Sequence, residues 1–309
     1  MDLLKRLRED TKTLTDSNNK REQLLRIDLL ENYQGDDRVI RSSEILAEIE
    51  AEGEMGTIQT GFKELDDLTG GGFRPEDLII MSGATKNGKS QFALELASRV
   101  KNTLFFGFEQ SPKEFLYQMR FIQNRKVFPE FVTPKENLEA DLEWIEERAT
   151  ESFVKYNTKL LIIDHFDFIR YEAQAGLNEA TNIKNFVTNL KALARKLKQA
   201  IVLIVHIRKG DPYYVPTYDD IKGSSSFAQL CDKLIMVKRL LKQNGRNKAP
   251  EFMNGSMVSL QLNRQTGQTG NLFFEIEDYK HKYITSDEDT MMTYLEDKEF
   301  NHAPVTEFI

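Results

Sequence analysis

The sequence predicts an α/β fold built on a mostly parallel central sheet, with a β-hairpin at its edge and a short helical arm at its N-terminus. Three observations predict it. Short, unbroken apolar runs of strand length recur after residue 77, amphipathic helical stretches separate them, and the glycine-rich loop "GATKNGKS" joins the first such run to the first such helix. A parallel strand is covered on both faces, so it reads as a continuous apolar run. A helix with one buried face instead repeats its apolar residues every three or four positions.

Residues 1 to 55 read as an arm of short helices, not an independent domain. Leu3, Leu4 and Leu7 cluster at helical spacing, as do Leu24, Leu25, Leu29 and Leu30, and then Ile45, Leu46 and Ile49. The polar breaks "TDSNNK" and "NYQGDD" separate them, and Ser42 and Ser43 stand where a helix cap belongs. From Asp77 the pattern changes. The strands are "LIIMS" (78–82), "TLFFGF" (103–108), "LLII" (160–163), "AIVLIV" (200–205) and "LIMV" (234–237). Helices such as "SQFALELASRV" and "NFVTNLKALARKLKQ" lie between them, which is the alternation of a parallel sheet. "MVSLQLN" and "NLFFEIE", joined by "RQTGQTG", form the hairpin. The main domain is expected over 56–282. The acidic tail, 283–309, is expected to be solvated and disordered, or to bind a partner.

Composition bounds the function. The 309 residues include one cysteine, Cys231, which excludes a disulfide framework and a cysteine zinc site and suits a reducing cytoplasm. The net charge of −7 argues against a protein that coats nucleic acid, while leaving room for a local basic patch. No apolar run approaches the ~18 residues of a membrane span, and "MDLLKRLRED" does not read as a signal peptide.

The chemistry starts at the loop. Gly83, Gly88, Lys89 and Ser90 fit G-x-x-x-x-G-K-[ST], between a strand and a helix as that motif requires. Glycines let the backbone turn its N–H groups onto phosphate oxygens. Lys89 reaches the β- and γ-phosphates, Ser90 holds Mg²⁺, and the helix N-terminus faces the anion. The expected ligand is ATP with Mg²⁺, cradled by Gly83, Ala84, Thr85, Lys86, Asn87, Gly88, Lys89, Ser90 and Gln91. A second metal anchor is expected at a strand end; Asp164 follows four apolar residues in "KLLIIDHFDFI", and Asp167 is the alternative. Glu109 ends the strand after the loop's helix and is placed to activate water, or is a solvated strand-end residue. His206 ends another strand, as a sensor of the γ-phosphate or of nucleic acid, or as a structural histidine. Strand C-termini of a parallel sheet share one edge, so these groups are expected together. The stretch "RKGDPYYVPTYDDIK" (208–222) is long for a connection. Arg208, Lys209 and Lys222, with tyrosines among them, suit a nucleic-acid strand, against which Asp211, Asp219 and Asp220 count.

Five stretches in register resemble the ring-forming replicative DNA helicases, the DnaB-like and phage relatives within the RecA-like ATPases. They are "TGFKELDDLTGGGFRPEDLIIMSG", "FFGFEQSPKEFLYQMR", "LKALARKLKQAIVLIVHIRK", "YDDIKGSSSFAQLCDKLIMVKR" and "RQTGQTG", covering roughly 57 to 278. The resemblance implies a RecA-like fold, Lys89 and Ser90 on phosphate and metal, Asp164 as the second anchor, Glu109 as catalytic base and His206 as sensor. It implies that Arg264 is an arginine finger supplied to the neighbouring subunit of a homo-oligomer, a hexamer. It places a DNA-tracking loop at 208–222, with Lys222, Gly223 and Ser224 on the DNA backbone, and packs Ile45, Leu46 and Ile49 on the next subunit or on their own domain. Two departures stand out. Leu262 replaces a lysine usual two residues before the finger, and the N-terminal primase or primase-binding domain of longer relatives has no counterpart beyond the arm. The expected function is ATP-driven unwinding by translocation on single-stranded DNA, in the cytoplasm of a bacterium or phage-infected cell, with a primase, loader or polymerase as partner. The alternatives are a RecA-like ATPase that does not unwind, as recombination mediator or regulatory ring, and a nucleotide-binding scaffold.

Overall fold

The computed structural model describes residues 17–35, 38–52, 56–109, 111–117, 120, 130–136, 140–170, 178–207, 215–221, 224–242, 251–277 and 280–284. The chain divides into two compact units, Met1–Met55 and Gly56–Ile309.

In the first unit the apolar spacing gives α1 (Ser17–Glu31) and α2 (Ser42–Glu52). Leu3, Leu4 and Leu7 lie outside the described residues. Ser42 and Ser43 are the first residues of α2 and not its cap. Arg41 precedes α2, and its N–H is met by the Glu44 carboxylate at 3.2 Å, because a glutamate three residues in can fold back over the first turn. Leu25, Leu29, Leu30, Ile45, Leu46 and Ile49 are exposed.

The second unit carries α3 (Lys63–Thr69), β1 (Leu78–Gly83), α4 (Lys89–Arg99), β2 (Thr103–Gly107), α5 (Pro112–Tyr117), α6 (Leu142–Tyr156), β3 (Leu160–Asp164), α7 (Glu179–Leu197), β4 (Ala200–His206), α8 (Ser224–Leu230), β5 (Lys233–Lys242), β6 (Glu251–Asn263), β7 (Gly270–Glu277) and β8 (Lys280–Tyr283). Among the described residues the strands form one eight-stranded sheet in the order β2-β3-β4-β1-β5-β6-β7-β8. The first five are parallel, and β5 through β8 run antiparallel. β5 and β6 extend well past the apolar runs "LIMV" and "MVSLQLN", and β8 carries no apolar run that marks it.

Side chains alternate across the sheet, and β1 shows the result. Leu78 and Ile80 enter a core with Ile145 and Ala149 of α6 and Phe186, Val187 and Leu190 of α7. Ile79 and Met81 enter the opposite core with Phe92 and Leu96 of α4, Phe62, and Val258 and Phe274 of the antiparallel strands. All six residues of β1 are buried, which is why the strand tolerates no polar face. The helices between strands end cleanly. Asp141 accepts the Trp144 N–H at 2.8 Å to start α6, and Asn178 accepts the Thr181 N–H at 2.9 Å to start α7. No helix among the described residues is long and apolar enough to cross a membrane.

Candidate functional site

β1 runs straight into the glycine-rich loop, and α4 begins at its lysine. Gly83 is required on two counts. Its φ is +154°, and a Cβ there would stand 2.2 Å from the Val237 carbonyl oxygen. Gly88, at φ +85°, turns the chain into α4 and faces open space. Asn87 pins the loop to β5 by accepting the Arg239 N–H at 2.9 Å, so its side chain is spent on the scaffold. Thr85, Lys86 and Ser90 are exposed, and Ala84 and Gln91 are half-buried.

The Lys89 side chain is buried and donates to the Gly83 and Ala84 carbonyls at 2.9 and 3.0 Å. Burial pulls its pKa down to about 8, and the charges of Asp164, Glu109 and Asp167 pull the other way. Among the described residues the ammonium is hydrogen-bonded by these two carbonyls, an arrangement from which it can turn onto an anion placed at the loop.

The register of the parallel strands assembles the rest. Gly107 stands opposite Asp164 in the β2–β3 pair, and Gly83 stands opposite His206 in the β1–β4 pair. The strand ends carrying Glu109, Asp164 and His206 therefore reach the loop's edge of the sheet together. Asp164 is almost wholly buried and hydrogen-bonded to Ser90; its Oδ1 is buried with no partner among the described residues. Burial raises its pKa above the usual carboxylate value, with Glu109 adding to the effect. A hydroxyl beside an orphaned carboxylate oxygen is a donor set that fits a hard divalent cation such as Mg²⁺. Asp167 is half-exposed, with Oδ2 3.7 Å from His165 Nδ1.

Glu109 follows β2, whose end is tied down by the Phe108 N–H on the Asp164 carbonyl at 2.8 Å. Its Oε1 lies 3.1 Å from His165 Nε2. His206 packs edge-on against the same imidazole, ring centroids 4.3 Å apart. Burial pushes the His206 pKa down to about 4, helped by Lys89, so the ring is neutral at pH 7; its Nδ1 is buried with no partner among the described residues. His165 is the residue that reading along the chain missed. The available signal was its place directly after Asp164, in a chain with four histidines of which His206 also stands at a strand end.

Arg264 is elsewhere. Ile79 pairs with Lys233, and Lys233 with Asn263, so Arg264 lies at the edge where β1 begins. The loop lies at the other end, about 17 Å away along a six-residue strand. Its guanidinium caps the end of α8, donating to the carbonyls of Cys231 at 2.6 Å, Gln229 at 2.6 Å and Ala228 at 3.0 Å.

Of the residues assigned to nucleic acid, Arg208, Lys209, Lys222 and Gly223 lie outside the described residues, and Ser224 opens α8. The described part of that connection, 215–221, is not a structureless loop. Ile207 and Ile221 pair as an antiparallel bridge, Thr217 and Asp220 form a capping box, and Gln261 donates to the Pro216 carbonyl at 2.9 Å. Asp220 is thus occupied with the backbone of its own turn.

The sequence matches the DnaB-like helicase C terminal domain over residues 57–151 and 121–284. The chain belongs to this family. A probable replicative DNA helicase of Trieres chinensis is 23% identical over 235 residues, covering 65% of this chain and 51% of the relative. The replicative DNA helicase DnaB of Geobacillus stearothermophilus is 26% identical over 235 residues, covering 66% and 51%. The chain therefore spans about half the length of these relatives. In fold, it is similar to a solved ATPase domain, with a TM-score of 0.64 and 17% identity over 81% of this chain and 100% of that one. It is also similar to a DnaB-like replicative helicase studied with its primase, at a TM-score of 0.61 and 16% identity, covering 91% and 75%. The fold is thus the RecA-like α/β fold of these helicase ATPase domains.

Proposed function

We propose that this DnaB-like chain is the ATP-driven motor of a replicative DNA helicase that works as a ring, a hexamer, moving along single-stranded DNA to part a duplex. One observation carries the reading. The loop, Asp164, Glu109 and His206 meet at one edge of the sheet, while Arg264 lies at the other. A cation meant for the transferring phosphoryl group then comes from a neighbour, and head-to-tail contacts that close into a ring supply one to every site.

In this reading Lys89 leaves the Gly83 and Ala84 carbonyls for the β- and γ-phosphates, and the N–H groups of 83–91 hold the remaining oxygens. Ser90 and Asp164 are the residues that would hold Mg²⁺, which neutralises phosphate charge when bound. Glu109 takes the proton of a water in line with the γ-phosphate. His206, neutral and beside Gly83, senses whether that phosphate is present. The stretch from Arg208 to Ser224 begins two residues after His206, and Ile207 between them pairs with Ile221, so movement at the β4 end is passed to Arg208, Lys209, Lys222, Gly223 and Ser224 on the DNA. Residues 1–55 serve assembly, with the exposed Ile45, Leu46 and Ile49 against the next subunit. Residues 56–282 are the motor, and 283–309 a tail. A primase, loader or polymerase is the partner class, and bacterial or phage-infected cytoplasm the setting.

Strand separation on a forked duplex, with Lys89→Ala as control and oligomer mass measured alongside, tests this. Wild type is expected to unwind and Lys89→Ala to lose both hydrolysis and unwinding. Hydrolysis stimulated by single-stranded DNA without separation identifies a non-unwinding ATPase. Flat phosphate release in the presence of single-stranded DNA identifies a scaffold.

A further inference from the structure

His165 has no part in the chemistry above, yet it touches two of its members. Its Nε2 is 3.1 Å from Glu109 Oε1, and its Nδ1 is 3.3 Å from the Asp167 backbone N. A backbone N–H can only donate. Nδ1 is therefore the bare nitrogen, and the ring's proton sits on Nε2, where it is given to Glu109. The two partners differ in freedom. The His165 side chain is 7% exposed, and that of Glu109 is 56% exposed. The imidazole is wedged between His206 and Phe168, with ring centroids 4.3 and 4.8 Å away. A buried donor wedged between two rings thus meets one oxygen of an exposed carboxylate that has no other side-chain hydrogen bond among the described residues.

We propose that His165 is the positioning residue of the hydrolytic site. It occupies Glu109 Oε1 so that Oε2 faces the attacking water, and its packing on His206 ties that hold to the residue read above as the phosphate sensor. The inference rests on the ATPase reading above. A positioned base is worth about 10²- to 10⁴-fold in rate, and that advantage depends on hydrogen-bond reach to the water.

The same three residues invite another reading. Glu109, His165 and His206 bring ligand atoms within 4.8 Å of one another, and two imidazoles with a carboxylate can hold a transition metal. The tautomer opposes it. Ligation through Nε2 would move the ring proton to Nδ1, where it would face the Asp167 N–H, donor against donor.

The test is steady-state ATP hydrolysis by the full chain with single-stranded DNA, alongside binding of a fluorescent, non-hydrolysed ATP analogue. His165→Phe keeps a ring against His206 and Phe168 and removes both nitrogens. His165→Gln keeps a donor close to the Nε2 position. The expected result for His165→Phe is a kcat lowered about 10- to 100-fold, with KM and analogue affinity within about twofold of wild type. His165→Gln should restore most of the rate. In a Glu109→Gln background, His165→Phe should have no further effect, because the group being positioned is gone. Several results overturn the proposal: a His165→Phe kcat within twofold of wild type, a loss carried by KM or affinity, or an equal loss with and without Glu109. A cobalt(II) absorption band that His165→Gln abolishes also overturns it, in favour of the metal site. Wild type that hydrolyses no ATP overturns the ATPase reading and this inference with it, and a Glu109→Gln variant as fast as an active wild type overturns the role of Glu109 as base and with it this inference. A His165→Phe rate equal to wild type, with Glu109→Gln inactive, overturns this inference alone.

Discussion

His281 should make the protein lose stability in mild acid. It sits on β8, the outermost strand, yet is 1% exposed, and neither ring nitrogen has a partner among the described residues. Its ring packs edge-on against Phe92 at 5.1 Å and Phe274 at 6.0 Å. Burial lowers its pKa from 6.5 to about 4, and the nearby charges of Arg99 and Arg239 add to the shift. In the unfolded chain the ring takes up a proton near pH 6.5, while the folded chain refuses it until about pH 4. The unfolded state therefore binds more protons in this window, and stability is complete above pH 6.5 and falls as pH drops toward 4. At 1.36 kcal/mol per pKa unit the whole effect is about 3 kcal/mol, and roughly 2 kcal/mol of it has gone by pH 5. His281→Phe keeps an aromatic ring in the Phe92–Phe274 contact and cannot titrate. Urea unfolding of wild type and His281→Phe at pH 7 and pH 5 measures the difference, and groups common to both chains cancel. Wild type should lose about 2 kcal/mol more than the variant between the two pH values. Equal losses would refute the argument that burial keeps this histidine neutral.

Two further predictions concern the edge of the sheet opposite the glycine-rich loop. Lys233 is fully buried and donates to Asp77 at 2.6 Å and to Gln265 at 2.8 Å, so Lys233→Met should strand a buried carboxylate and cost about 3–5 kcal/mol in urea unfolding. Replacing Asp77 with Asn in the same chain should recover part of that loss. Lys89→Ala and Arg264→Ala should each abolish ATP hydrolysis; mixing the two dead proteins should restore phosphate release if the arginine acts across an interface, and no recovery would place Arg264 outside the chemistry.

Much of the fold was legible along the chain because its strands are buried on both faces. "LIIMS", "LLII" and "AIVLIV" are apolar at every position but the last serine, and each is a strand in the parallel half of the sheet. β5 and β6 were legible only in part, because Lys238, Arg239 and Asn254 interrupt the apolar pattern in strands that are not apolar throughout. β8 is four residues long, "KHKY", with no apolar pattern of its own, and its antiparallel pairing with β7 reveals it. The cap of α2 was misplaced, since serine and glutamate both satisfy helix ends and spacing alone does not choose between them.

The sequence by itself determined the α/β class, the glycine-rich loop between strand and helix, and the acids at the strand ends. These are local patterns, and a residue's neighbours along the chain suffice to make them. Tertiary structure decided what each of these groups meets. It put His165 on Glu109, 56 positions away, left an oxygen of Asp164 without a partner among the described residues beside Ser90, pinned 215–221 by a bridge and a side chain, and set Arg264 at the far edge of the sheet. Strand order and register bring such pairs together, and both come from packing two cores across the sheet rather than from any short stretch of chain.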